Sequence, residues 1–446
     1  MKVQFCHSKL LLALSSAFIL NTTFVTTSQA MELAPTVEDA IMHSPEFREQ
    51  IKVHQGVNAD LKGAEGSWYP VIDLGAGIGL EEIERENSAL NSSLTRTETN
   101  IRLTENLFEG FGTENEIARQ QARLDAAAYT SQSKANKIAL DMVSAYIILQ
   151  KEQELQQLSM ENKLTHERIL DQITQRSDAG IGNQVEVDQA KARLALANSN
   201  LAAAKNNYSD ALTSFHRVLG RLPDNELIKP SLDYNFPATL EEATNIALLQ
   251  HPTLRSANAD IAEARAQHDA AARFYYPRVD LEIEQTFDDN ISGIRGKNQN
   301  FQAMLRMRYN LYNGGKDTAN RDRTASAVQQ SAEIRNNTRR QTIENLRYAW
   351  DARQMIGVQL EYVKQQIKLT HETLVGYRKQ FSLGRRSLLD LLNTEDEYIS
   401  ALRKLVESES EHSIAEYRIL NGMGKLIEVL NINVNYASVD VDYSNQ

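Results

Sequence analysis

"GAGIGL", Gly75 to Leu80, is the stretch that looks most like a phosphate-cradling loop. A dinucleotide fingerprint needs G-x-G-x-x-G, then a helix and a distant acidic residue. Here the spacing is G-x-G-x-G and no such helix follows, so nucleotide chemistry is excluded. His7 aside, no two histidines stand three or four residues apart as a helical zinc pair would. His412 lies on an apolar heptad seam and reads as a packed core residue. "THER" and "THET", at Thr165 and Thr370, echo each other without a nucleophile–base constellation. The expectation is therefore a protein that is not an enzyme, with no cofactor and no metal. What remains are two carboxylates at fixed spacing. Asp390 stands three residues after Ser387 in "SLLD", and Glu186 three after Asn183 in "NQVE". Each reads as a capping box, tight in the first and looser in the second, with an acid placed favourably at a helix start.

The elements that must position these groups come from a chain written twice. "NLFEGFGTEN" begins at Asn106, and "NLYNGGKDTA" begins 204 positions later at Asn310. "GSWYPVIDL" pairs with "RFYYPRVDL" at an offset of 207, from Leu74 to Leu281. "TVEDAIMHSP" echoes "TLEEATNIALLQHP". The reading is a signal peptide over 1–30, a first repeat over 31–220 and a second repeat over 238–426. The proline-bearing linker Arg221 to Pro237 joins the repeats, and a tail fills 427–446. The signal rests on Lys2 and Lys9, a short apolar core from Leu10 to Leu20, and small Ser28 and Ala30 before the cut. The one cysteine, Cys6, precedes that core, so it is misplaced for a lipid anchor. A mature chain without thiols suits an oxidising compartment.

Of the 446 residues 24% are charged, and the net charge is −11. Mean hydropathy is −0.46. This argues against a bundle of membrane-spanning helices, and the missing basic face argues against nucleic acid.

Within each repeat the period changes in the same order. Glu46 to Trp68 is helix-like and stops at "YP". Then Ile72, Leu74, Ala76, Ile78 and Leu80 alternate with Asp73, Gly75, Gly77 and Gly79. A polar loop, "ERENSALNSSLTRTET", follows. A second run sets Ile101, Leu103 and Leu107 against Asn100, Arg102, Thr104 and Asn106. In the second repeat Phe301, Ala303, Leu305, Met307, Tyr309 and Leu311 alternate with Gln302, Met304, Arg306, Arg308 and Asn310. Strands apolar on one side and polar or glycine on the other fit a transmembrane β-barrel wall. Next comes a run without proline or glycine from Thr113 to about Ser177, long enough for a helix of roughly 100 Å at 1.5 Å per residue. Heptad rows follow Gly182: Val187, Leu194, Leu201, Tyr208 and Phe215, beside Ala190, Ala197, Ala204, Ala211 and Val218. Such rows are a coiled-coil pattern. Four strands cannot close a barrel, and open edges cannot face lipid. An oligomer is therefore required.

The two "YP" strand starts, the "LFEGFG" and "LYNGGK" turns, and the hairpins "SDAGIGN" and "FSLGRRS" together resemble the TolC-like family of outer membrane channel-tunnel proteins. The resemblance spans Met31 to about Leu426. It implies a homotrimer in which four strands per protomer complete a 12-stranded barrel, continued by an α-helical coiled-coil barrel across the periplasm. It also implies a passive exit duct, engaged by a periplasmic adaptor and an inner-membrane ABC transporter or other pump. The missing lipoprotein cysteine and the "NLFEGFGTENEIARQQARL" junction resemble the type I protein-secretion branch more than multidrug efflux. A poreless periplasmic scaffold is the alternative of another class. The resemblance assigns adaptor contact to the tips, with Asp178, Gly180 and Gly182 in one hairpin and Gly384, Arg385 and Arg386 in the other. It sets Asp390, with Glu186, at an acidic tunnel entrance, where Asn393 stands in place of a second carboxylate. Gly110, Gly112, Gly314 and Gly315 are expected to turn strand into helix by taking backbone conformations closed to other residues.

Overall fold

The computed structural model describes residues 31–86 and 91–434; the expected signal over 1–30 lies outside them. Helices α1 (Leu33–His43) and α2 (Pro45–Glu65) lead into strands β1 (Val71–Ile83) and β2 (Ser92–Phe108). Helices α3 (Gly112–Asp178) and α4 (Gln184–Leu219) complete the first repeat. The second repeats the plan: α5 (Leu240–Gln250), α6 (Pro252–Ala270), β3 (Arg278–Asp289), β4 (Lys297–Arg308), α7 (Lys316–Ser382) and α8 (Leu388–Gly422). A short α9 (Leu426–Val429) follows. The fold class is mainly α with one β-sheet, in two tandem repeats.

The described strands form one antiparallel sheet in the order β1-β2-β3-β4. Its register obeys the repeat. Leu74 pairs with Ile101 and Leu281 with Leu305, so offsets of 207 and 204 carry the first hairpin onto the second. Two expectations need correction here. The polar segment Ser92–Thr99, read as loop, is strand, because its threonines pair with the whole upper length of β1. The alternation through Leu311 stops instead at Arg308. In the first repeat the equivalent residues, Glu105 to Phe108, stay in strand because β3 pairs with them. Tyr309 to Tyr312 have no such neighbour among the described residues.

Two helical layers hang from the sheet. Beside it α2, α3, α6 and α7 lie in a row; further away the row is α4, α3, α8 and α7. Helices α3 and α7 span both, and at about 1.5 Å per residue each is roughly 100 Å long. The heptad alanines Ala190, Ala197, Ala204 and Ala211 are all buried, which lets α4 lie close against α3. The largest core sits at the waist, where Val37, Ile41, Phe47, Met142, Tyr146, Phe215, Leu346 and Leu420 meet. The linker is tied to it. Met31 bridges to Leu227, and the Tyr146 hydroxyl donates to the Met31 and Ile228 carbonyls at 2.6 and 2.7 Å. The start of the C-terminal tail packs on the same core through α9 and Ile432. A smaller core of Ile169, Ile173, Val187, Leu388 and Leu392 sits near the far ends of the long helices.

Candidate functional site

The far ends of the long helices close as glycine-capped hairpins. Helix α3 ends at Asp178; Gly180 takes φ +74°, and the Ile181 and Gly182 amides both donate to the Arg176 carbonyl. Helix α7 ends likewise, with Gly384 at φ +72° and the Arg385 amide on the Gln380 carbonyl. Such left-handed caps answer the unpaired carbonyls of a helix end. The restart is also shared. Asn183 Oδ1 accepts from the Glu186 amide at 2.9 Å, and Ser387 Oγ from the Asp390 amide at 3.2 Å. Gly182 lies outside the left-handed region; a Cβ there would come within 3.2 Å of the Ser177 amide nitrogen.

The tip side chains are mixed in character. Ile181 and Leu383 project outward with most of their surface exposed. Arg385 points to solvent, while Arg386 lies over the Tyr377 ring at 3.8 Å and faces Asp390 at 3.6 Å. The structure therefore brings Asp390 to the arginine of its own turn. Glu186 stays half-buried at the start of α4. Between the two hairpins runs a groove of about 780 Å³ lined by Ile169, Arg176, Ile181, Arg378, Phe381 and Glu395. Two cation contacts shape it: Arg176 over Phe381 at 5.1 Å, and Arg378 on Glu395 at 2.6 Å.

One link between the hairpins was not legible in the sequence. Arg193 of α4 donates to Asp396 at 2.5 Å and to Asn393 at 2.9 Å, both on α8. Buried His166 of α3 approaches the other Asp396 oxygen at 3.7 Å. These residues share no motif and are about 200 positions apart, so no spacing could announce them. His412 packs beside Gly357, half-buried, with Glu416 at 3.9 Å. Among the described residues no group of three His, Cys, Asp or Glu side chains is set to hold a metal ion.

At the other end, the sheet divides its faces sharply. One face carries Ile72, Leu74, Ile78, Leu80, Ile101, Leu103, Leu281, Ile283, Phe301, Leu305 and Met307. Leu74, Ile78 and Leu80 are 73%, 79% and 86% exposed, an apolar band bare to its surroundings. The opposite face holds an ion-pair ladder: Arg102 on Glu284, Arg306 and Arg308 on Glu282, and Arg278 and Arg308 on Asp280. Gly75 and Gly77 leave room on that face, since a Cβ would overlap the side chains of Asn100 and Glu98.

The strand-to-helix turns are tight. Gly110 takes φ +65°, and Gly314 and Gly315 take +74° and +81°, as expected. Gly112 does not. Phe111 holds the second left-handed position at φ +64°, and Gly112 already begins α3. A Cβ there would crowd the flexible side chains of Glu109 and Arg273, at 2.8 and 2.9 Å.

No helix among the described residues is long and apolar enough to cross a membrane. An outward apolar β-wall, an ionic inner face and a long helical extension define an outer membrane channel component. The outer membrane efflux protein family matches residues 36–221 and 243–425, one match for each repeat, and the chain belongs to that family. It is TolC-like, an outer membrane protein with its helical part in the periplasm. The chain is 23% identical to the outer membrane efflux protein BepC of Brucella suis, over 81% of this chain and 78% of that one. It is 21% identical to the outer membrane protein TolC of Escherichia coli, over 91% and 84%. It is 22% identical to the alkaline protease secretion protein AprF of Pseudomonas aeruginosa, over 69% and 65%. Among solved structures, the Campylobacter jejuni CmeC outer membrane channel shares the fold, with TM-score 0.79 at 14% identity, over 88% and 86%.

Proposed function

We propose that three copies of this chain close a twelve-stranded barrel, continued by a helical tunnel, that serves as the passive exit duct of a tripartite export system. The observation that carries this reading is a four-stranded sheet, bare and apolar on one face, whose outer edges at β1 and β4 have no partner among the described residues. Unsatisfied strand edges cannot face lipid. The charges on the two edges favour a ring. Every charged residue of β1 is acidic (Asp73, Glu81, Glu82), and every charged residue of β4 is basic (Lys297, Arg306, Arg308). Like edges repel and unlike edges attract, which favours head-to-tail closure. The helices agree: α7 keeps Tyr348, Met355, Tyr362 and Leu369 exposed at heptad spacing, a seam that needs a neighbour.

The duct does no chemistry of its own. A periplasmic adaptor engages the tips around Asp178, Gly180, Gly182, Gly384, Arg385 and Arg386, and an inner-membrane ABC transporter supplies the substrate. Three copies of Asp390 ring the tunnel entrance, each facing its own Arg386. At rest the tips are closed, and adaptor binding favours their outward untwisting. The preferred branch is type I secretion of a protein, which the likeness to a protease secretion protein supports. The likeness to BepC, named as an efflux protein, favours a drug-efflux outlet as the second reading.

Deleting the gene separates the branches. Loss of one large exported protein with unchanged drug tolerance is the expected result. Broad drug hypersensitivity with intact secretion would overturn the preferred branch.

A further inference from the structure

The internal repeat fixes more than the number of strands. Offsets of 207 from β1 to β3 and 204 from β2 to β4 reproduce the register of the second hairpin from the first, as Leu74↔Ile101 becoming Leu281↔Leu305 shows. The β2–β3 pairing is therefore a template for the pairing of β4 with β1 of the next copy. We infer that the seam between copies, in the trimer proposed above on which this rests, sets Leu305 against Ile78, because Ile101 pairs with Gln285 in the template. The same transfer sets Arg306 and Arg308 against Gly77 and Gly75.

Three observations converge on this register. It places the apolar residues of both edges on the lipid side: Leu305 with Ile78, and Met307 with Ala76. A shift by one would turn one strand inside out. On the inner side, the long arginines fall opposite the glycines of β1, which add no side chain of their own beside those of Asn100 and Glu98 that lean over them. Asp73 then lies diagonal to Arg308, so the opposite charges of the two edges meet.

The third observation is an aromatic contact left half-built. At the β2–β3 junction, Phe108 and Phe111 meet Tyr276 edge-on, with ring centroids 6.3 and 5.9 Å away. A Cβ on Gly110 would come within 2.7 Å of the Tyr276 Cβ. By the same offsets the counterparts of Phe108, Gly110 and Tyr276 are Tyr312, Gly314 and Tyr69. In one chain Tyr312 and Tyr69 are 84% and 72% exposed, and Gly314 has nothing within 4 Å of a built Cβ. Tyr69 of the next copy fills that place, edge-on to Tyr312, and extends the ladder past Arg308.

The test uses the full-length protein in membranes with paired substitutions, Leu305→Cys with Ile78→Cys. Partners directly opposite fall within disulfide reach, whereas those two residues out of register stand about 7–8 Å apart. Oxidation is expected to give a three-chain species that survives boiling in detergent and collapses with reductant. Leu305→Cys alone controls for Cys6, and Ile78→Cys paired with Met307→Cys or Ala303→Cys should cross-link at least tenfold less. Met307→Cys with Ala76→Cys repeats the register at a second position should the first variant fold poorly. A trimer by mass whose disulfides form only in the shifted pairs would overturn the register and leave the duct intact. A monomer by mass, with no cross-link from any pair, would overturn the duct itself.

Discussion

At the level of single residues, four glycines expected to share one task divide it between two. Gly110, Gly314 and Gly315 supply left-handed backbone, while Gly112 opens α3 and gives clearance to the side chains of Glu109 and Arg273. A left-handed residue other than glycine costs about 1–2 kcal/mol. Gly110→Ala adds an overlap with Tyr276 and with the Arg273 carbonyl oxygen. It should lower the thermal midpoint by several degrees. Gly79→Ala, where a Cβ meets nothing within 4 Å, should leave it within error. Equal midpoints for the two variants would remove the structural meaning assigned to the turn. The motif at the first junction was legible, but which glycine held which backbone state was not. That depended on Arg273 and Tyr276, which arrive from the second repeat.

At the level of elements, the tips and the waist make separate predictions. Cysteines in place of Ile181 and Leu383, bridged between neighbouring copies by a bifunctional reagent, should stop export, and cleavage of the bridge should restore it. Undiminished export through fully bridged tips would defeat the gating reading. At the waist, burial pushes the Tyr146 hydroxyl up to about 12 and that of Tyr417 likewise to about 12, from an ordinary 10. Both raised values favour the protonated, folded form. Their contribution is complete below pH 10 and is lost as pH rises from 10 through 12. Thermal stability should therefore fall across that window. Tyr146→Phe should flatten the fall and cost about 1–2 kcal/mol near neutrality, since it removes the hydroxyl from the Ile228 carbonyl and leaves the Met31 carbonyl with the Ile228 amide alone. An unchanged alkaline profile in that variant would show that the tyrosine does not link the linker to the core. The long helices could be read from their heptads and the strands from their alternation, except the polar start of β2, Ser92 to Thr99, which only its pairing with β1 makes strand. The end of β4 could not, because strand length depends on a partner as well as on pattern.

At the level of the whole molecule, a single chain is visibly incomplete. Its sheet has two open edges of opposite charge, its α7 seam is bare, and half of an aromatic contact waits at the foot of β4. These deficits lie on the same two flanks of the protomer, as expected of a subunit that repeats around a ring. A mass measurement in mild detergent and the paired cross-links address the assembly. The deletion phenotype addresses the cargo, which the polar inner face does not specify.

The sequence by itself determined the duplication, the order of elements, the apolar face of each strand and the glycine punctuation. All of these are local: period two, period seven and turn residues follow from neighbours along the chain. Only the tertiary structure decided the strand register, the ion-pair ladder across β2, β3 and β4, and the Arg193–Asp396 link between hairpins. The contacts that cross between repeats, the β2–β3 register, Arg102–Glu284 and Arg193–Asp396, join residues about 180 to 200 positions apart, and their geometry arises only when the two repeats pack side by side.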